Sequence, residues 1–372
     1  MAGLNHPEDI DLWEAWSRSR RRPQRIKHAV TERASALRRA RRGDEAPVPV
    51  PEELPWVLRS READPADADV SDRRILVAAD SATPTSRSSL LSGLLYHRVA
   101  IDVLLPAGVV PPEVSGPEWT VRALARPEDA LAPETGAVVS IGQHLAAGAA
   151  AHRLARQHGL PEFVVQHGVL TPFAPPLPAG ATLLAWSDAD AEFWCSGRDD
   201  VAVRTVGSQL LWQSAHEAEA EPTEVDQVMD SLRPVFLGQL HGAELSRRVT
   251  GGAAVRFCRE HDGLYRPHPA EVDLVSRTQH RLWQRRGMEF APTDVPLREL
   301  AHPVVSVFST GVLEAAARGN RAWVFGPSAP GWVRELWERY GMRRFGGEPT
   351  PSPVGDGEEP AALIVRVLED AL

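Results

Sequence analysis

Lysine is nearly missing from this chain of 372 residues: 40 of its 41 basic residues are arginine, and Lys27 is the only lysine. A Walker-type nucleotide loop, a kinase nucleotide lysine, a pyridoxal phosphate aldimine and a Schiff-base aldolase all need a lysine in the folded body. Lys27 lies in an arginine-rich arm, so these mechanisms are excluded. A phosphate bound here is therefore held by arginine, histidine or backbone N–H groups. The same scarcity also reads as the compositional bias of a GC-rich genome. Cysteine is scarce as well. Cys195 and Cys258 are far apart and form no C-x-x-C pair, which disfavours a structural zinc site and a disulfide framework and fits a reducing compartment. No stretch approaches the roughly 18 uninterrupted apolar residues of a membrane helix. The opening Met-Ala-Gly-Leu-Asn-His-Pro-Glu-Asp has no apolar core of the kind a signal or transit peptide carries. A cytoplasmic protein is expected.

The charge is placed unevenly. Between Arg18 and Arg42 stand eleven basic residues and one acid, Glu32, so this arm carries +10 of a net charge of −9 and the remainder carries −19. An acidic body makes a nucleic-acid partner an unlikely fit. Ile26, Val30, Ala34 and Leu37 are spaced as one side of a helix. Two readings stay open: a solvated or self-docking helix, or an interfacial helix that holds residues 18–42 on an anionic membrane at its inner face. Trp13 and Trp16 can deepen such a contact or pack on the body. Residues 44–70, rich in Pro, Glu, Asp and Ala, read as an extended tether.

From Arg74 onward, apolar runs bounded by turn residues alternate with helical periods. Strands are expected at 75–79, 100–105, 119–124, 137–141, 163–165, 183–186 and 201–206. A second series follows at 234–237, 263–266, 304–307 and 321–325. Helices are expected at 88–97, 146–157, 188–194, 271–286, 311–318 and 358–372, with another running from the 238–242 loop to about His261. This alternation predicts an α/β fold with mostly parallel sheets covered on both faces. The expected organisation is an N-terminal extension (1–71), a first Rossmann-like domain that binds acceptor (72–213), an acidic hinge (214–232), a second Rossmann-like domain that binds a nucleotide donor (233–350) and a C-terminal tail helix (351–372). Tandem domains of this kind place a ligand where the carboxyl ends of the two sheets face each other.

Four motifs lie just after strands. In Tyr265-Arg266-Pro267-His268-Pro269 each proline pushes the preceding residue toward extended geometry, so Arg266 and His268 point the same way and form a phosphate clamp; a rigid turn with a surface arginine is the plainer alternative. In Ser306–Ala315 a strand runs through Ser309, Thr310 and Gly311 directly into a helix, which offers N–H groups and hydroxyls to an anion. Glu314, one turn in, either accepts from sugar hydroxyls or completes a cap with Gly311. Gln166-His167-Gly168 places a histidine at a strand end, as a general base or as a residue satisfied within its loop. Gly238 and Gln239 occupy a loop suited to close phosphate or base approach, while Asp80, Ser81, Ser86 and Arg87 are candidate acceptor contacts. Asp188 and Asp190 read as first-turn acids of a helix rather than a metal pair, and no metal site is expected.

The RPHP clamp, the Ser-Thr-Gly…Glu-Ala segment and the Gln-His-Gly strand end resemble, over roughly residues 72–350, the GT-B-fold glycosyltransferases. Closest in look are bacterial capsule and teichoic-acid polymer transferases and sialyltransferase-like groups with HP and S/T motifs. Ser309-Thr310 stands where some of these relatives have two serines. The resemblance implies two Rossmann-like domains facing a central cleft. It also implies metal-independent, cofactor-free transfer of a sugar or polyol phosphate from a CMP, CDP or UDP donor to a glycan or lipid-linked acceptor in cell-surface polysaccharide synthesis. On this basis His167 and His268 are the catalytic candidates. Arg266, His268, Ser309, Thr310, Gly311, Glu314, Gly238 and Gln239 face the donor; Asp80, Ser81, Arg87 and Gln166 face the acceptor. The alternatives are a non-hydrolysing nucleotide-sugar epimerase and an inactive, membrane-tethered binding protein.

Overall fold

Ile75, Leu76, Val77 and Ala78 are all buried, and the strand they build, β2 (Arg74–Ala78), is central to a sheet of eight strands. In a computed structural model the described residues are 3–20, 55–63, 71–219, 232–239, 244–269, 271–293, 295 and 297–372. Most of the basic arm and part of the expected tether and hinge therefore lie outside the described residues. The first sheet runs in the order β4-β1-β3-β2-β5-β6-β7-β8. Its members are β1 (Trp56–Arg61), β2, β3 (Ala100–Pro106), β4 (Thr120–Leu124), β5 (Thr135–Ser140), β6 (Glu162–Val165), β7 (Thr182–Ala185) and β8 (Ala202–Thr205). All neighbours are parallel except β1, which runs antiparallel to both β3 and β4. The second sheet is fully parallel in the order β10-β9-β11-β12, from β9 (Val235–Leu237), β10 (Leu264–Arg266), β11 (Val304–Ser306) and β12 (Ala322–Val324). The expected two-sheet α/β architecture is present.

Helices cover these sheets: α1 (10–20), α2 (Ala146–His158), α3 (Asp188–Cys195), α4 (Gln209–Glu219), α5 (Arg247–Glu260), α6 (Leu274–Arg285), α7 (Thr310–Ala317), α8 (Gly331–Arg339) and α9 (Pro360–Glu369). Helix α2 stops where Gly159 takes φ 64°, a left-handed turn that favours glycine. Several elements differ from the sequence expectation: no helix was expected at α1 (10–20), and the helix expected at 88–97 is a run of short turns at Pro84–Ser86, Arg87–Leu91 and Ser92–Leu95. Strand β1 falls inside the stretch read as tether, because only Leu58 of its six residues is buried and no apolar alternation marks it. It is held instead by polar pairing: Ser60 Oγ donates to Asp102, and Arg74 bridges Asp102 at 2.9 Å and Glu62 at 2.9 Å. Helix α8 also had no reading, its start marked only by Pro330 at the N-cap. The first half of the acidic segment, through Glu219, continues helix α4.

The chain ends on the first sheet. Ile364 and Leu368 of α9 share an apolar cluster with Ile75, Leu91 and Val139, and Gln209 joins both ends of that contact, donating to Glu359 Oε1 at 2.6 Å and accepting from the Ala361 N–H at 2.9 Å. The units also meet through a buried polar knot. Gln166 Nε2 donates to Asp190 Oδ2 (3.0 Å), and the Leu170 N–H donates to the Tyr340 hydroxyl (2.8 Å). Arg339 lies 3.4 Å from Asp190 Oδ1, donates to the Leu170 carbonyl and stacks 3.6 Å over the Phe193 ring. Burial raises the Asp190 pKa despite these partners, so the carboxylate depends on them for its charge. No helix among the described residues is long and apolar enough to cross a membrane.

Arg339→Ala should cost about 3–5 kcal/mol in denaturant unfolding, because it leaves a buried carboxylate uncompensated. Asp190→Asn in that background should recover part of the loss. A cost near zero for Arg339→Ala would contradict the pairing.

Candidate functional site

In the second sheet β9 lies between β10 and β11, so the chain leaves the carboxyl ends of β9 and β11 in opposite lateral directions. A crevice opens at such a switch point. Gly238 and Gln239 follow β9, and Val307 to Ser309 follow β11. The two loops are tied together: Gln239 Oε1 accepts from the Phe308 N–H at 3.1 Å. Gly238 is required by close approach. A Cβ there would sit 2.4 Å from Glu271 Oε1 and 2.5 Å from the Tyr265 hydroxyl.

Ser309 is the N-cap of α7, its Oγ accepting from the Gly311 N–H at 3.2 Å. This corrects the capping alternative, because the cap is Ser309 rather than Gly311 and Glu314 is the fifth helical residue, beyond reach of a capping box. Gly311 is fixed by packing, since a Cβ would lie 2.9 Å from both Leu237 and Leu297. Glu314 stands one turn after Thr310 on the same helix face. Burial raises its carboxyl from 4.5 to about 7.

Behind the RPHP loop stands a carboxylate that the motif reading missed. Glu271 accepts from the Tyr265 hydroxyl (3.0 Å), the His268 N–H (3.1 Å) and His280 Nε2 (2.7 Å). Its position three residues after His268, from which a side chain reaches back to a backbone N–H, is the signal that marks it. His280 has no such signal. Arg266 is half-buried and donates through Nη2 to the Val295 carbonyl, while His268 is exposed.

The loop that follows His167 meets the start of α7. The Val169 N–H points at Thr310 Oγ1 from 3.5 Å, and a Cβ on Gly168 would be 3.8 Å from the same oxygen. The fold thus brings the first domain's Gln-His-Gly strand end against the second domain's Ser-Thr helix start. Burial lowers the His167 pKa to about 4, which keeps the ring neutral at pH 7. Its Nδ1 is buried and has no hydrogen-bond partner among the described residues. The ring stacks on His144 (centroids 6.5 Å apart, 17° between planes), and the edge of Trp13 meets His144 at 5.7 Å. Trp13 donates to the Phe173 carbonyl at 2.8 Å, and Trp16 stacks on Phe173 at 5.0 Å. Both tryptophans of α1 therefore pack on the body.

The four residues expected at the acceptor have protein partners. Asp80 accepts from the Ala147 and Gly148 N–H groups at the start of α2, at 2.7 and 3.2 Å. Arg87 pairs with Glu113 at 2.7 Å, and Ser81 Oγ lies 2.9 Å from Ser86 Oγ. Gln166 is buried in the knot, its Oε1 accepting from the Trp186 N–H at 2.9 Å. A cleft of about 550 Å³ between the units is lined by Trp186, Ser187, Trp212, Leu313, Tyr340 and residues 353–358. Of the motif segments only Leu313 lines it, together with Asp190, and none of the residues expected to bind donor or acceptor does. Its walls come from strand ends and a C-terminal stretch distant in sequence, so no local pattern announces it.

The Glu314 shift makes a signed prediction. The folded chain holds a proton that the unfolded chain releases near 4.5, so the contribution to stability is complete below that pH and is lost as pH rises toward 7. Glu314→Gln should stabilise the protein at pH 8 by up to about 3 kcal/mol and leave it unchanged at pH 4. Equal effects at both values, in paired urea titrations, would contradict the burial.

No protein-family model matches the chain, and no curated protein matches it. Among solved structures, S. aureus MnaA with UDP is 13% identical, covering 80% of this chain and 88% of that one at a TM-score of 0.49. A glycosyltransferase from Rickettsia africae is 11% identical over 81% of this chain and 93% of that one, at 0.43. Anabaena Alr3699/HepE with UDP-glucose is 17% identical over 79% and 89%, at 0.42.

Proposed function

We propose that this chain is a nucleotide-sugar-dependent glycosyltransferase. It moves a sugar, or a polyol phosphate, from a nucleotide-activated donor to a hydroxyl of a glycan or lipid-linked acceptor, without a metal ion. One observation carries the reading: Gly168 and Val169, directly after His167 at a strand end of the first sheet, stand against Thr310 at the start of α7, beside the switch point of the second sheet. Donor phosphates lie at the α7 N-terminus, on the hydroxyls of Ser309 and Thr310 beside Gly311, with Arg266 and His268 closing from a neighbouring loop. Gly238 and Gln239 flank the nucleotide. Glu314 accepts from sugar hydroxyls. Negative charge that builds on the leaving phosphate is stabilised by these preorganised donors.

His167 takes the acceptor proton. A neutral imidazole with a pKa of about 4 is a weak base in the empty site, but a diphosphate bound nearby favours its charged form and raises that value. Proton affinity thus increases when the donor arrives. Ser81 lies after β2 on the same sheet as a contact for the acceptor. The basic arm, residues 18–42, is the proposed peripheral contact with an anionic membrane in the cytoplasm, where cell-surface polysaccharide is assembled.

UDP, the nucleotide in the S. aureus structure, is the first ligand to titrate, followed by CMP, CDP and GDP. Arg266→Ala and His268→Ala should each weaken nucleotide binding about 10- to 100-fold in calorimetry, the loss of a charge-assisted hydrogen bond. Full binding and turnover in both variants would end the assignment. His167→Ala should lower kcat by about 10²- to 10⁴-fold with nucleotide affinity unchanged. Conversion of a nucleotide sugar to its epimer without acceptor would favour the epimerase instead.

A further inference from the structure

Helix α6 presents to solvent what a helix on a folded domain normally turns inward. Leu274 is 61% exposed, Val275 47% and Leu282 45%, and Val272 just before the helix is 68% exposed. At 100° per residue, Leu274, Val275 and Leu282 share one arc with Arg277, Arg281 and Arg285, opposite the buried Ser276 and Trp283. The side chains of these three arginines form no ion pair or hydrogen bond among the described residues. Their neighbours on the inner edges are matched: Arg247 with Asp273 at 3.1 Å and Arg256 with Glu260 at 2.9 Å.

Beside this arc, α5 and α6 enclose a groove of about 790 Å³ whose lining includes Gly251, Gly252, Arg248 and Arg259. A Cβ on Gly252 would meet nothing within 4 Å, so the groove is open there. Residues 247–286 hold nine arginines against four acids in a chain whose net charge is −9. An anionic surface would therefore attract this face and repel most of the rest.

We infer that the α5–α6 face docks on an anionic lipid bilayer. Water leaves the exposed aliphatic groups unsatisfied, and an acidic protein would match the arginines but not the leucine and valine side chains between them. At a bilayer both are met. Leu274, Val275 and Leu282 enter the boundary between headgroups and acyl chains, while the arginines extend to lipid phosphates. The groove admits a headgroup phosphate between Arg248 and Arg259. Because α6 begins immediately after the RPHP loop, docking holds that loop close to the lipid surface. The inference does not depend on the transfer chemistry.

The test uses the full chain and flotation with phosphatidylcholine vesicles, with and without phosphatidylglycerol. Binding is expected only to the anionic vesicles and should fall as salt rises. Leu274→Glu with Leu282→Glu, and separately Arg277→Gln with Arg281→Gln, should each weaken it by roughly tenfold or more, at unchanged melting temperature because all four positions are exposed. Leu282→Cys carrying an environment-sensitive fluorophore should shift to the blue on anionic vesicles. Three results would overturn the inference: vesicle binding by the α6 variants equal to wild type, with all binding lost instead on neutralising Arg38, Arg39, Arg41 and Arg42; no vesicle binding by the wild-type chain; or self-association in sedimentation velocity that the α6 variants abolish, without vesicle binding.

Discussion

The cleft depends on one carboxylate taken out of water. Asp190 is 1% exposed, and it is tolerated there only because Gln166, Arg339 and Tyr340 surround it. Two of those three come from the second unit. The ion pair is therefore also a positional constraint: it ties α3 to the end of α8, and Gln166 and Leu170 fasten to it the loop after β6 that carries His167 and Gly168. A desolvated pair of this kind is a weak source of net stability but a strong penalty on any arrangement that separates its members. That penalty holds the loop after β6 against the second unit, with Val169 facing Thr310.

Around this fixed point the second unit supplies groups rather than charge. Close packing favours glycine at 238, where a Cβ would meet the His268 backbone nitrogen at 2.9 Å, and crowds a Cβ at 311 against Leu237 and Leu297; both glycines bring backbone near the crevice. Ser309 caps α7, while Glu271 behind the RPHP loop holds Tyr265, the His268 backbone and His280 in one hydrogen-bonded set. With lysine absent from the described body, the phosphate-binding means that remain are arginine, imidazole and oriented N–H groups. Environment separates two titrating groups, one on each unit. Burial depresses His167 and raises Glu314, so one stands deprotonated and the other half-protonated near neutrality.

Strands and helices with strong apolar periods were legible in the sequence because burial and periodicity coincide: β2, β3, β5 and β6 are almost wholly buried. Strand β1 was hidden because its pairing relies on Ser60, Arg74 and Asp102, not on apolar alternation. Site residues divide along the same line. Candidate motifs that follow strands, such as His167, Ser309 and Thr310, stand out in the sequence because the chain's direction places them at the sheet ends. Gln166 was read as an acceptor contact, and only three-dimensional partners reveal it as part of the knot. Trp13 and Trp16 lie outside the resemblance, and their packing on Phe173 and His144 joins segments more than a hundred residues apart. No local rule reaches that far.

The central claim is that a nucleotide diphosphate lies between the α7 N-terminus and the RPHP loop, facing His167. It is tested most directly by following the imidazole resonances of His167 and His268 while UDP is added. The account predicts that both shift in proportion to occupancy and that the His167 titration midpoint rises from about 4 as phosphate charge arrives. Saturating nucleotide with neither resonance moved would contradict it.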